Sequence, residues 1–107
     1  APGKQGYMEP AAINTHNEKI GAKPDAYLID ADGTVGKAYG AKTTPQVVVI
    51  DPKGHVVYHG AIDSIKSTSP ADVDKADNYV KQAVMQSMSG EPVATKSTRP
   101  YGCGVKY

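Results

Sequence analysis

Gly40-Ala41-Lys42-Thr43-Thr44-Pro45-Gln46, then Val47-Val48-Val49-Ile50, then Asp51-Pro52-Lys53-Gly54, then His55-Val56-Val57-Tyr58-His59-Gly60 is the stretch whose reading decides the fold. A glycine closes a short helix. A Thr-Pro step leads into an apolar strand, and a Pro/Gly turn returns a second strand. The spacing predicts a hairpin of Gln46–Ile50 and Val56–Tyr58. The first strand is apolar without alternation, which predicts cover on both faces. A proline at the mouth of a central strand deletes a ladder donor. A cis X-Pro bond beside a functional site tolerates that loss, so Thr44–Pro45 is expected to be cis.

Toward the N-terminus, residues 1–6 read as a loop with Pro2, Gly3 and Gly6. Met8 to Ile20 has helical spacing, with Pro10 in the first turn and Gly21 as the stop. Ala12, His16 and Ile20 recur at helical intervals, with Ile13 beside them, and are expected to face inward. Ala26-Tyr27-Leu28-Ile29 reads as a short strand and Asp30-Ala31-Asp32-Gly33 as a turn. Thr34 is expected to cap a helix over Val35–Tyr39, with Gly40 just past its end.

Toward the C-terminus, Ile62 to Ala71 is a Ser-rich loop. Asp72 is expected to cap a helix over Val73–Ser89 that buries Val73, Ala76, Val80, Ala83, Val84 and Ser87. Gly90 ends it. Residues 91–107 lack periodicity and read as an irregular tail carrying Cys103.

The 107 residues predict one domain, and 12 Lys+Arg against 11 Asp+Glu give no reason to invoke nucleic acid or an anionic membrane. The longest apolar run, Val47–Ile50, is far too short to span a bilayer. The sequence does not start with Met and has no signal-like segment, which reads as a processed or excised chain. The core inventory is thin: Phe and Trp are absent, and Leu28 is the sole leucine. A small domain with so few large side chains is marginal by itself, so packing against more chain or a partner is expected.

The single cysteine, Cys103, excludes an internal disulfide, a CxxC pair and a thiolate-rich zinc site. It is either an incidental tail thiol or a reactive one, with Gly102 and Gly104 permitting close approach and Lys106 favouring the thiolate. His55 and His59 share a strand face but stand ~13 Å apart, too far for one ion. Met85 and Met88 are one helical turn apart, which reads as packing. Turn chemistry accounts for Asp25, Asp30, Asp32 and Asp51. No metal site and no cofactor are predicted.

In order, these elements are helix, short strand, short helix, Thr-Pro, hairpin, helix and tail. They resemble the C-terminal part of the thioredoxin-like redoxins, in the group with the alkyl hydroperoxide reductase/thiol-specific antioxidant and TlpA-like proteins. The carrying segments are Ala26–Asp30 with Gly33, Val35–Ala41, Thr44-Pro45, Val49-Ile50-Asp51 with Gly54, and Tyr58-His59-Gly60. The ending Arg99-Pro100-Tyr101-Gly102-Cys103-Gly104-Val105-Lys106-Tyr107 is similar to the Pro-x-Gly-Cys-x-Ile-Lys-aromatic ending of one branch.

The resemblance implies an α/β, thioredoxin-like fold that is partial: residues 1–90 as its C-terminal portion and 91–107 as the tail. It implies an earlier β-α-β portion that carries the active cysteine. The parent would be a thiol peroxidase or thiol-disulfide oxidoreductase, and these residues alone would be inactive. Thr43, Thr44 and Pro45 would form a platform that pairs with an extended substrate. Cys103 would be a resolving thiol that condenses with a sulfenic acid. The expected partner is the N-terminal half or a second copy, joined along the strand edge, with a thiol or disulfide protein as a further partner. The competing reading is a non-catalytic interaction module that associates through that edge. A copper-delivery role is disfavoured by the lack of a cysteine pair. The resemblance implies an exported bacterial location, periplasmic or secreted, with a cytoplasmic one as the alternative.

Overall fold

The computed structural model describes residues 2–4, 6–67 and 69–107. Ala1 and Gln5 of the first expected loop, and Thr68 of the Ser-rich loop, lie outside the described residues. The chain mixes short helices with antiparallel strand pairs and divides into two compact units, residues 1–41 with 106–107, and residues 42–105.

The first unit holds α1 (Pro10–Ile20) and α2 (Thr34–Ala38). Pro10 occupies the first turn of α1, and Gly21 ends it in the left-handed conformation, its N–H directed to Glu18 O. The expected inward stripe is corrected: Ile13 is the buried residue of α1, while Ala12, His16 and Ile20 are exposed. Counting from Ile13 rather than Ala12 rotates the face, because residues one apart diverge by ~100°.

The strand expected at Ala26–Ile29 does not form. Leu28 is 85% exposed and has no ladder neighbour. A strand is stabilised by a partner, and high β-propensity does not supply one. The capping of α2 is also corrected. Thr34 is its first residue, and the carboxylates of Asp30 and Asp32 act in its place. Asp30 accepts from the N–H groups of Val35 (3.0 Å) and Gly36 (2.7 Å), and Asp32 from Thr34 (3.0 Å). These are the orphan donors of a helix N-terminus. The Thr34 N–H bond holds the Asp32 carboxyl below its usual range. The C-terminal Tyr107 lies against Gly33 and Gly36, donates to Ala41 O (2.7 Å), and has the Lys37 ammonium 5.2 Å from its ring centre.

The second unit holds β1 (Thr43–Thr44), β2 (Val47–Ile50), β3 (Val56–Gly60), α3 (Tyr79–Met88) and β4 (Cys103–Gly104). The hairpin forms as expected. β2 and β3 are antiparallel, with Val47 opposite Gly60 and Val49 opposite Tyr58. A bulge follows Val49, so that Ile50 faces Val56. Asp51 closes the turn by accepting from Lys53 N and His55 N, both at 2.9 Å. The bonds to His55 and Lys53 hold its carboxyl below the ordinary range. The double cover expected for β2 is corrected: Val47, Val48 and Val49 are half-buried and Ile50 is exposed. Among the described elements, α3 packs on this sheet.

The last helix is shorter than its pattern. It starts at Tyr79, capped by the Asn78 side chain, which accepts from Lys81 N at 2.9 Å. Val73 is 65% exposed, and a single 3-10 turn, Pro70–Asp72, precedes it. The interruption has a local cause. Ser64 binds both backbone groups of Asp77, its Oγ accepting from the N–H (2.8 Å) and its N–H donating to the carbonyl (3.0 Å). Asp63 bridges to Asn78 in the same place. Those bonds hold the backbone extended where a helix would need it curled.

Tyr58, Ala83 and Val93 form the core, with Val49, Val57, Tyr79 and Val80 packed around them. Tyr58 is completely buried and its ring centre is 6.2 Å from that of Tyr79. Burying one such side chain contributes roughly 1.5–3 kcal/mol.

Candidate functional site

Residues 91–105 have no helix, as their composition indicates, yet they are tied into the second unit. Ser97 bridges in parallel with His59, through His59 N to Lys96 O (3.1 Å) and Thr98 N to His59 O (3.2 Å). Thr98 Oγ1 accepts from Ala61 N (3.0 Å) and shares a 2.6 Å hydrogen bond with the Tyr58 hydroxyl, which also donates to Ala61 O (2.5 Å). Gly60, at φ 145°, makes this approach possible, since a Cβ there would meet the Thr98 backbone and side chain. Burial raises the Tyr58 hydroxyl above its ordinary pKa, against the lowering effect of Thr98.

Beyond Thr98 the chain reaches Tyr101, whose hydroxyl donates to Asp63. That bond, helped by burial, pushes the Tyr101 pKa up to about 12. The next residues form β4, which pairs antiparallel with β1: Thr44 faces Cys103 and Thr43 faces Gly104. Val105 N donates to Lys42 O (3.0 Å), extending the ladder by a step. Gly102 has φ 133° and lies so close to the Thr44 carbonyl that a Cβ would collide with it. The Thr44–Pro45 bond is cis, as the sequence predicts.

All the expected site residues therefore meet. Thr43 and Thr44 form one strand of a two-stranded ribbon and Cys103 and Gly104 the other, with Pro45 directly after Thr44. Thr44, Pro45 and Cys103 are exposed, Thr43 is half-buried, and the thiol is free. Thr43 Oγ1 bonds to Pro45 O (3.3 Å), and Gln46 Oε1 accepts from Lys42 N (3.0 Å). This fixes the step on both sides. The arrangement presents a solvent-facing thiol next to strand backbone, a geometry suited to thiol exchange with an extended polypeptide.

Sequence reasoning missed Thr98, Tyr101 and Asp63, the residues that place this ribbon. A glycine straight after Tyr58-His59 was the legible hint of close approach. His55 is exposed and stands 3.6 Å from Asp51, and His59 and His16 are exposed. Among the described residues no group of three His, Cys, Asp or Glu side chains is placed to hold a metal ion. No described helix is long and apolar enough to cross a membrane. No protein-family model matches the chain, and neither does any curated protein.

Proposed function

We propose that this chain is the C-terminal portion of a thioredoxin-like redoxin, a thiol peroxidase or thiol-disulfide oxidoreductase, and that the β1–β4 ribbon is its substrate and resolving site. The observation that carries the reading is the register of that ribbon, in which Cys103 faces Thr44. Two features singled out separately in the sequence, the Thr-Pro step and the tail cysteine, belong to one ladder. Thr43, Thr44 and Pro45 offer backbone to an extended partner, and Cys103 takes the resolving step.

In that step the Cys103 thiolate attacks the sulfur of a sulfenic acid on a second polypeptide segment. An S–S bond forms, the S–O bond breaks, and the oxygen leaves as water with one proton from solvent and its own hydroxyl proton. With a disulfide substrate the same thiolate displaces a thiolate. With one cysteine in the sequence, the nucleophile that meets the oxidant belongs to another segment or another chain.

A disulfide exchange with a coloured leaving group tests this. The probe is a short extended peptide whose single cysteine carries thionitrobenzoate. Attack by Cys103 joins the peptide to the protein and releases the coloured thiolate. The expected result is faster release from the ordinary peptide than from its backbone N-methylated counterpart, and none from Cys103→Ser. Equal rates for the two peptides would remove the platform from the proposal.

A further inference from the structure

The edge that the proposed site offers to a substrate is already occupied. β4 pairs with Thr43 and Thr44, and its residues come from the same chain. We propose that the segment Gly102–Val105 is a releasable strap that stands in for the extended partner, so that the chain blocks its own platform until the strap lifts. The inference rests on the platform reading above and adds a regulation to it.

The construction of the strap supports a two-position element. Its ladder is short: two residue pairs, extended by the Val105–Lys42 bond. A two-stranded ribbon of this length is marginal in water, so it opens far more readily than the hairpin beside it. Its entry is anchored by the Tyr101 hydroxyl on Asp63 Oδ1, an atom that also accepts from Ile65 N at 3.2 Å. Between that anchor and the ladder lies Gly102, which no residue with a Cβ can replace without striking the Thr44 carbonyl. Gly102, Cys103 and Gly104 are all exposed, and apolar burial in the strap is confined to its last residue, the half-buried Val105. The ladder hydrogen bonds and the glycine fit hold the rest of the strap. An incoming strand would replace those ladder bonds.

The device links access to chemistry. While the strap is closed, Cys103 is fixed in the ladder opposite Thr44. When an extended partner takes its place on Thr43–Thr44, the strap is displaced and the thiol becomes mobile beside that partner. The platform and the thiol are then available together.

Two variants of the full chain and a locked form test this without any substrate. Gly102→Val drives a side chain into the Thr44 carbonyl, and Tyr101→Phe removes the anchor. The readouts are backbone hydrogen exchange over residues 102–105 and the rate of Cys103 with dithionitrobenzoate, with exchange in β2 and β3 as the measure of fold. Both variants should raise exchange in the strap, and Gly102→Val should speed thiol modification by roughly fivefold. Hairpin protection should stay unchanged. Oxidised Thr44→Cys should form a disulfide with Cys103 and return strap exchange to or below that of the wild type, because the two positions are directly opposed.

Unchanged strap exchange and thiol rate in both variants, with hairpin protection intact, would overturn the inference. If Gly102→Val loses hairpin protection, Tyr101→Phe alone decides. A failed peptide assay combined with a released strap would sink the platform and leave the moving segment standing. The converse would sink the strap alone.

Discussion

The two units of the chain are ordered by different means. Residues 42–105 are built around Tyr58, Ala83 and Val93, and around bonds between residues far apart in sequence. Among the described residues of 1–41 with 106–107 one apolar residue, Ile13, is buried, while Ile20, Tyr27, Leu28, Ile29, Val35 and Tyr39 are exposed. Most of the bonds that set the first unit are local: a proline start, a glycine stop, two aspartates on a helix terminus. Caps define backbone geometry at about 1 kcal/mol each, and short helices of this length are marginal without a packed face. The comparison teaches that a regular local pattern and a stable unit are separate properties.

The largest effect that would sharpen this contrast is Tyr58→Ala. Removing a completely buried aromatic side chain costs about 3–5 kcal/mol, a large share of the ~5–15 kcal/mol that holds a small domain. Urea denaturation should show the loss, and hydrogen exchange should place it in β2, β3 and α3. If exchange in α1 changed as much as in the hairpin, the two units would be one cooperative body and the contrast would be broken.

Thr98→Val comes next. It leaves Ala61 N–H without its acceptor and removes one of the two hydrogen bonds of the Tyr58 hydroxyl, at about 1–3 kcal/mol. A denaturant midpoint that did not move would show that the segment beyond Val93 adds nothing to the second unit.

Alkali reaches the same network through ionisation. The folded-state pKa of Tyr58 is raised, and that of Tyr101 is raised to about 12. An unfolded tyrosine titrates near ~10. The folded state therefore holds these protons more tightly than the unfolded one. Their stabilisation is present in full below the unfolded value and is lost as pH rises through the folded values. Urea midpoints should fall between pH ~10 and ~12, and Tyr101→Phe should flatten part of that fall. Acid acts on the lowered carboxyls of Asp32 and Asp51. Their contribution is present above the ordinary carboxylate range and disappears as pH drops below it.

Asn78→Ala should cost about 1 kcal/mol through the lost cap of α3, read as earlier melting of the second unit. The smallest effect belongs to Gly21→Ala. A left-handed alanine costs roughly 1 kcal/mol locally, which α1 would meet by fraying. Circular dichroism should show a small helical loss, with the midpoint of the second unit unmoved. A cooperative fall in that midpoint would again merge the two units.

The fold was legible wherever a residue type has one local use. Pro10 and Gly21 bounded α1, Gly40 and Gly90 followed their helices, and Asp51-Pro52-Lys53-Gly54 turned the hairpin. The segments that failed are those whose state depends on a neighbour. Ala26–Ile29 has strand composition and no strand beside it. Residues 73–77 have helical spacing, but Ser64 takes the Asp77 backbone.

The site divides in the same way. Thr44-Pro45 and Cys103 each stood out in the sequence, because a proline at a strand mouth and a lone thiol between glycines are unusual by themselves. The sequence alone determined the turn chemistry and marked the Thr-Pro step and the lone thiol, since those depend on residue type and adjacent residues. Only the tertiary structure decided that Cys103 lies opposite Thr44, that Thr98 ties into Tyr58, and that β2 is half-covered. Pairing between distant segments depends on packing across the whole unit, and unlike the hairpin, whose turn fixes its register, β1 and β4 have no connecting turn to encode one.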